Sequence, residues 1–181
     1  MSKYNLNYLF DEELHEVPEN PSDMELYIHD RKTALATIQN PIERVKTLGE
    51  IGVYLRILCS LGEAADYLLK ALEIIDRHNL DFTLTVTMKI RLAHVYQWQK
   101  RFDLSNPMFD ELLGLAKSQD LGTVNDFIWQ HAGKNYFDQM KWADARVAFE
   151  RALKIRVARG APPDQIQSSQ QSIQACLQRM N

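Results

Sequence analysis

Apolar side chains recur every three to four positions through most of this chain, as in Leu48, Ile51, Leu55 and Leu58, which is the period of one face of an α-helix. No stretch alternates apolar and polar residues convincingly over a strand's length. The punctuation agrees with helices. Ser22-Asp-Met-Glu25 has the form of a capping box, and Asn40-Pro41-Ile-Glu43 puts proline at a first helical position, where its missing N–H costs nothing. Thr123-Val-Asn-Asp126 opens another helix, Gly160 stops one, and Pro162-Pro163 opens the last. The pattern predicts helices over 23–39, 41–60, 63–78, 82–99, 102–118, 124–140, 142–159 and 163–180. Pro107 falls inside the fifth, where it removes a backbone bond and crowds the preceding turn. Asn106-Pro107 repeats the Asn40-Pro41 start, so a kink or a late start at 107 is expected. The fold class is all-α.

One motif stands out. It reads Trp129-x-x-Ala132-Gly133-x-x-Tyr136, then Ala145-x-x-x-Phe149, then Ala152. Diluted copies read Leu92-Ala93-x-x-Tyr96 with Ser105, Phe109 and Leu112, and Ile51-Gly52-x-x-Leu55 with Ala64, Leu68 and Ala71. A half copy, Ile173-Gln174-x-x-Leu177, closes the series. The same register position thus falls at 52, 93, 133 and 174, a stride of 41, 40 and 41 residues. Small side chains at Gly52, Ala93 and Gly133, facing Ala64, Ser105 and Ala145, would let two helices cross closely while Tyr96, Tyr136, Phe109 and Phe149 fill the space alongside.

The motif resembles the signature of the tetratricopeptide repeat, with Ala132 in place of leucine and no closing proline. The stride is longer than the usual period of about 34 residues. In that respect it is similar to kinesin light chains and Pins-type adaptors, and Ala152-Leu-Lys-Ile-Arg156 resembles a light-chain helix end. The paired asparagines of the light chains are absent; those positions read Gly49-Glu50, Ile90-Arg91, Gln130-His131 and Gln171-Ser172. The resemblance therefore implies the fold and not the cargo. It implies a right-handed α-solenoid of antiparallel helix pairs over 41–180, with repeats near 45–80, 86–119 and 126–160 and a capping helix over 163–180. Residues 1–40 are expected to form an N-terminal extension and capping helix.

In members of that family the first helices line a concave groove. The corresponding positions here are Lys46, Glu50, Val53, Arg56 and Ile57, then Ile90, Arg91, His94, Gln97 and Trp98. The third repeat supplies Phe127, Gln130, His131, Lys134, Phe137 and Asp138, and the last helix Gln171 and Arg179. Lys46, Arg56, Arg91, Lys134 and Arg179 outnumber Glu50 and Asp138, although the whole chain carries a net charge of −3. That contrast favours an acidic or carboxylate-terminated protein segment as partner, with Trp98 as an apolar anchor. The plainer alternative is an ordinary solvated face. The asparagines of the family's carboxylate clamp are missing, which argues against a chaperone-tail ligand.

Other classes of function find little support. A net charge of −3 without a basic stripe does not suit a nucleic-acid binder. No run approaches a membrane span, the start lacks a signal-peptide core, and Cys59 and Cys176 form no motif, so a reduced, cytoplasmic setting is expected. His94 and His131 with Asp138 lack a third convergent ligand or any nucleophile–base arrangement; neither catalysis, cofactor nor metal is expected. The expected function is that of an adaptor or scaffold. A small chaperone is one alternative, since class II chaperones of type III secretion resemble the chain in size. A self-associating structural protein is another, suggested by the weakly charged, glutamine-rich last helix carrying Gln165, Gln167, Gln170, Gln171, Gln174 and Gln178.

Overall fold

The computed structural model describes residues 3–119 and 121–180. The chain divides into two compact units, one holding the residues up to Asp11 with His15–Gln99, the other holding Glu12–Leu14 with the residues from Lys100 onward. The first contains strands β1 (Tyr8–Phe10) and β2 (Glu16–Pro18) and helices α1 (Pro21–Ala34), α2 (Pro41–Ile57), α3 (Leu61–Arg77) and α4 (Phe82–Trp98). The second contains α5 (Phe102–Ser118), a 3-10 turn (Gly122–Val124), α6 (Asn125–Asp138), α7 (Trp142–Ala158) and α8 (Pro163–Met180). Within each unit successive helices pack on one another: α1 on α2, α2 on α3 and α3 on α4 in the first, α5 on α6, α6 on α7 and α7 on α8 in the second. The architecture is all-α, with no sheet core among the described residues.

Local chemistry sets the helix starts. Asn20 caps α1, its Oδ1 accepting from Asp23 N at 3.1 Å, with Pro21 in the first turn. The capping box expected at Ser22 is not used, because Asn20-Pro21 already supplies an acceptor and a donorless first residue upstream. Asn40-Pro41 works the same way, its Oδ1 accepting from Glu43 N at 3.0 Å. The third Asn-Pro pair does not start a helix. α5 begins at Phe102 and runs through Pro107, with Ser105, Phe109, Leu112 and Leu113 buried on one face. Pro107 lies close enough to the start that few helical bonds are lost, and packing retains the turn.

α2, α3, α4, α5 and α7 are each 17 residues long, and α6, with 14, follows directly on the three-residue 3-10 turn. α3, α5 and α7 begin at Leu61, Phe102 and Trp142, so the stride of 41 and 40 is physical. Cys59, Lys100 and Met140, which follow α2, α4 and α6, all adopt left-handed backbone, with φ of 59°, 58° and 60°. At the first and last of these, Ser60 N donates to Leu55 O at 2.8 Å and Lys141 N to Tyr136 O at 3.0 Å, closing a Schellman turn. The small residues sit where they are needed. A β-carbon on Gly52 would lie 2.7 Å from the Leu68 side chain, and one on Gly133 would lie 2.5 Å from the Phe149 ring.

The N-terminal segment differs from the nearly all-helical expectation. β1 and β2 form an antiparallel ladder with Leu9 opposite Val17. Its turn is closed by Asp11 N donating to His15 O at 3.0 Å, while Asp11 Oδ1 accepts from His15 N at 2.8 Å. Leu14 in that turn has φ 62°, a place where glycine or asparagine is usual.

Candidate protein-interaction site

In the first unit α2 and α4 bring Arg56, His94 and Trp98 together. The Arg56 guanidinium lies 4.5 Å from the centre of the Trp98 ring. Trp98 Nε1 donates to His94 Nε2 at 3.2 Å, one helical turn earlier, which requires that nitrogen to be unprotonated. This cluster is not open. His15 stacks on Trp98 with centroids 4.5 Å apart and planes at 29°. Glu16 Oε2 accepts from Arg56 Nη1 at 2.8 Å, and the two side chains are only 6% and 5% exposed. Both partners come from the N-terminal hairpin, an acid and a ring laid onto a cation and a ring.

The remaining expected residues of this unit divide. Lys46 is exposed and Val53 half-buried. Arg91 passes over Gly49, where a β-carbon would stand 2.4 Å from its Nη1. Burial pushes the Arg91 guanidinium down from its ordinary value, opposed by the attraction of Glu50. Glu50 also accepts from the Tyr27 hydroxyl at 3.0 Å, and burial together with Glu50 pushes that phenol up to about 12. Gln97 is wholly buried, and neither its amide oxygen nor its nitrogen has a hydrogen-bond partner among the described residues.

In the second unit the α6 residues serve packing more than an open face. Gln130 Nε2 donates to Ser172 Oγ at 3.1 Å and Oε1 accepts from Ser169 Oγ at 2.7 Å, which binds α8. His131 stacks on Phe127, Lys134 is buried, and the Asp138 carboxylate, 1% exposed, pairs with Lys100 at 2.9 Å. Arg179 donates to Glu13 Oε1 at 2.6 Å and to Glu12 O at 3.3 Å. Leu14 enters the apolar cluster of Phe137, Ala145, Phe149 and Cys176.

Sequence reasoning missed the charged centre beneath α8. Arg156 Nε lies 2.8 Å from Asp126 Oδ2, both side chains at most 3% exposed, and Arg159 Nε lies 3.0 Å from Asp126 Oδ1. Arg156 Nη1 reaches Ser169 Oγ at 2.9 Å and Gln165 O at 2.7 Å. A signal for it existed. Val45, Val86 and Asp126 share one register position and all are buried, so a carboxylate stands where the other repeats carry valine. Among the described residues no group of three His, Cys, Asp or Glu side chains could hold a metal, and no helix is long and apolar enough to cross a membrane.

No family model and no curated protein matches this chain. Solved structures do match. BtubC (BKLC) from P. vanneervenii superposes with a TM-score of 0.65 at 19% identity over 87% of this chain and 66% of that one. The tetratricopeptide-like repeats of a putative kinesin light chain from Podosopora anserina superpose with a TM-score of 0.61 at 12% identity over 88% and 80%. The fold is tetratricopeptide-like. This chain spans about two thirds of the length of BtubC, and at such identities the likeness is one of fold.

Proposed function

We propose that this tetratricopeptide-like chain is a non-catalytic, cytoplasmic adaptor that holds an acidic protein segment on the face that α2 and α4 line in the first unit. The repeats near 45–80, 86–119 and 126–160 act as the recognition units, and 163–180 caps them. The observation that carries the reading is the Arg56–Trp98–His94 cluster, which two successive first helices assemble and which engages a carboxylate and a ring from the N-terminal hairpin. Lys46 adds an exposed cation on α2 and Arg91 a half-buried one on α4, while Gln97 and Gln130 serve the interior. Affinity purification with mass spectrometry identifies the partner. Lys46→Glu combined with Arg91→Gln should then abolish its capture while leaving the helical circular dichroism unchanged. Capture at the wild-type level by that variant rules the face out.

A further inference from the structure

We infer that the cleft between the start of α6 and the second half of α7 is a binding site for a small ligand bearing a phosphate group. It belongs to the second unit and shares no residue with the face of α2 and α4, so neither site depends on the other.

The cleft encloses about 610 Å³, the size of a small-ligand site. One wall is α7, where Arg151, Lys154, Ile155 and Ala158 share a single helical face and Arg159 follows at the helix end. The facing wall is the 3-10 turn with Thr123 and Asn125. Three of the lining residues are cations and none is an acid. Asp126 holds Arg159 in place, its two oxygens accepting from Nε at 3.0 Å and Nη2 at 3.2 Å, and the same carboxylate serves Arg156. One acid is thus divided between two guanidiniums. The lining side chains and their ion-pair partners carry an excess of three positive charges, in a chain whose net charge is −3. Arg151 leans on the Trp129 ring, 6.0 Å from its centre, with Lys117 at 5.7 Å from the same centre. Guanidiniums fixed in this way lose little freedom on gripping an oxyanion, and their forked N–H groups suit phosphate oxygens. Asn125 Oδ1 is buried with no hydrogen-bond partner among the described residues, an acceptor that a hydroxyl of a phosphate ester would satisfy.

The other repeats serve as internal controls. The same cleft recurs in the first repeat between α2 and α3, with Lys70, Glu73 and Arg77 at the register positions of Arg151, Lys154 and Ala158. There the cations are already engaged. Glu73 stands where the third repeat has Lys154 and accepts from Arg77 at 2.6 Å, while Arg44 donates to Leu35 O and Ile38 O. In the middle repeat the corresponding residues are Glu111, Gly114, Ser118 and Gln119, without a cation. Packing of the repeat therefore does not demand this charge. Nor does the dipole of α7, which favours cations in the last turn and does not account for Arg151 in its middle. Arg151 and Lys154, three residues apart on one face, repel each other slightly, and a bound phosphate turns that repulsion into attraction for both.

The test titrates pyrophosphate and glycerol phosphate in turn into the full chain by isothermal calorimetry, in about 150 mM sodium chloride, where scattered surface charge is screened. At least one should bind at a single site with a Kd below about 100 µM, and the tighter of the two tells an inorganic diphosphate from a phosphate ester. Arg151→Gln with Lys154→Gln should weaken that binding at least about tenfold. Both side chains are exposed, so helical circular dichroism should stay unchanged. Lys70→Gln with Arg77→Gln removes the same charge from the matching cleft of the first repeat and should leave the affinity at the wild-type level. Binding of neither ligand overturns the proposal. Binding that survives in the first double variant, or that falls equally in both, overturns it as well, because the phosphate would then sit elsewhere or respond to net charge alone.

Discussion

Gly133 lacks a side chain because the Phe149 ring occupies the space, 2.5 Å from where a β-carbon would stand. A buried ring cannot swing away as the end of a lysine can. Gly133→Ala should therefore destabilise the protein by roughly 1–3 kcal/mol, measured by urea denaturation, and Phe149→Leu in the same chain should recover part of the loss. Gln97 presents the opposite case. It shares a register position with Arg56 and Phe137, all three buried, yet its amide makes no hydrogen bond among the described residues. Gln97→Leu should raise stability by about 1 kcal/mol, since a desolvated and unpaired amide is replaced by an apolar group of similar size. A fall in stability would show that the amide has a partner. The two thiols should also separate. Cys59 is exposed, whereas Cys176 is wholly buried with its thiol pushed up to about 11 by that burial. One cysteine per chain should react with a disulfide reagent at neutral pH, and both after unfolding.

At the scale of elements, the turns after α2, α4 and α6 put Cys59, Lys100 and Met140 in a conformation that L-residues resist. Lys100→Gly also removes the cation paired with the Asp138 carboxylate and should not stabilise, whereas Met140→Gly should stabilise by up to about 1 kcal/mol in thermal or chemical melts, the relief of strain exceeding glycine's added chain entropy. Leu14→Gly should do the reverse, because the Leu14 side chain is buried among Phe137 and Phe149. α8 depends on charge more than on its own apolar content. Asp126→Ala leaves Arg156 buried without its carboxylate and should cost roughly 3–5 kcal/mol, exposing α8 to limited proteolysis. The helices themselves were legible because apolar spacing and Asn-Pro starts are local signals. The hairpin was not, since three-residue strands carry no readable alternation and Glu16 finds Arg56 forty positions away. The left-handed turn residues were equally silent, being neither glycine nor asparagine. Of the candidate site, the residue types and the register were readable. Which of them are covered was not, because burial of Arg56 and Gln130 is decided by the hairpin and by α8, partners that no repeat motif announces.

For the molecule as a whole, contacts run between successive helices within each unit, and stability in such an arrangement is close to a sum of neighbour terms. A lesion should therefore stay local. In hydrogen exchange, Gly133→Ala should speed the amides of α6, α7 and α8 well before those of α2 and α3. The constancy of the helices has a further consequence for how this sequence can change in length. A residue inserted within a helix would turn everything beyond it by about 100°, carrying buried positions to the outside. The one place where the stride already varies lies between helix pairs: four residues separate α3 from α4, and three separate α5 from the 3-10 turn. Insertions and deletions accumulated by its descendants should collect at those junctions and spare the paired coils, and the same junctions are where a tag or a reporter can be spliced without loss of fold.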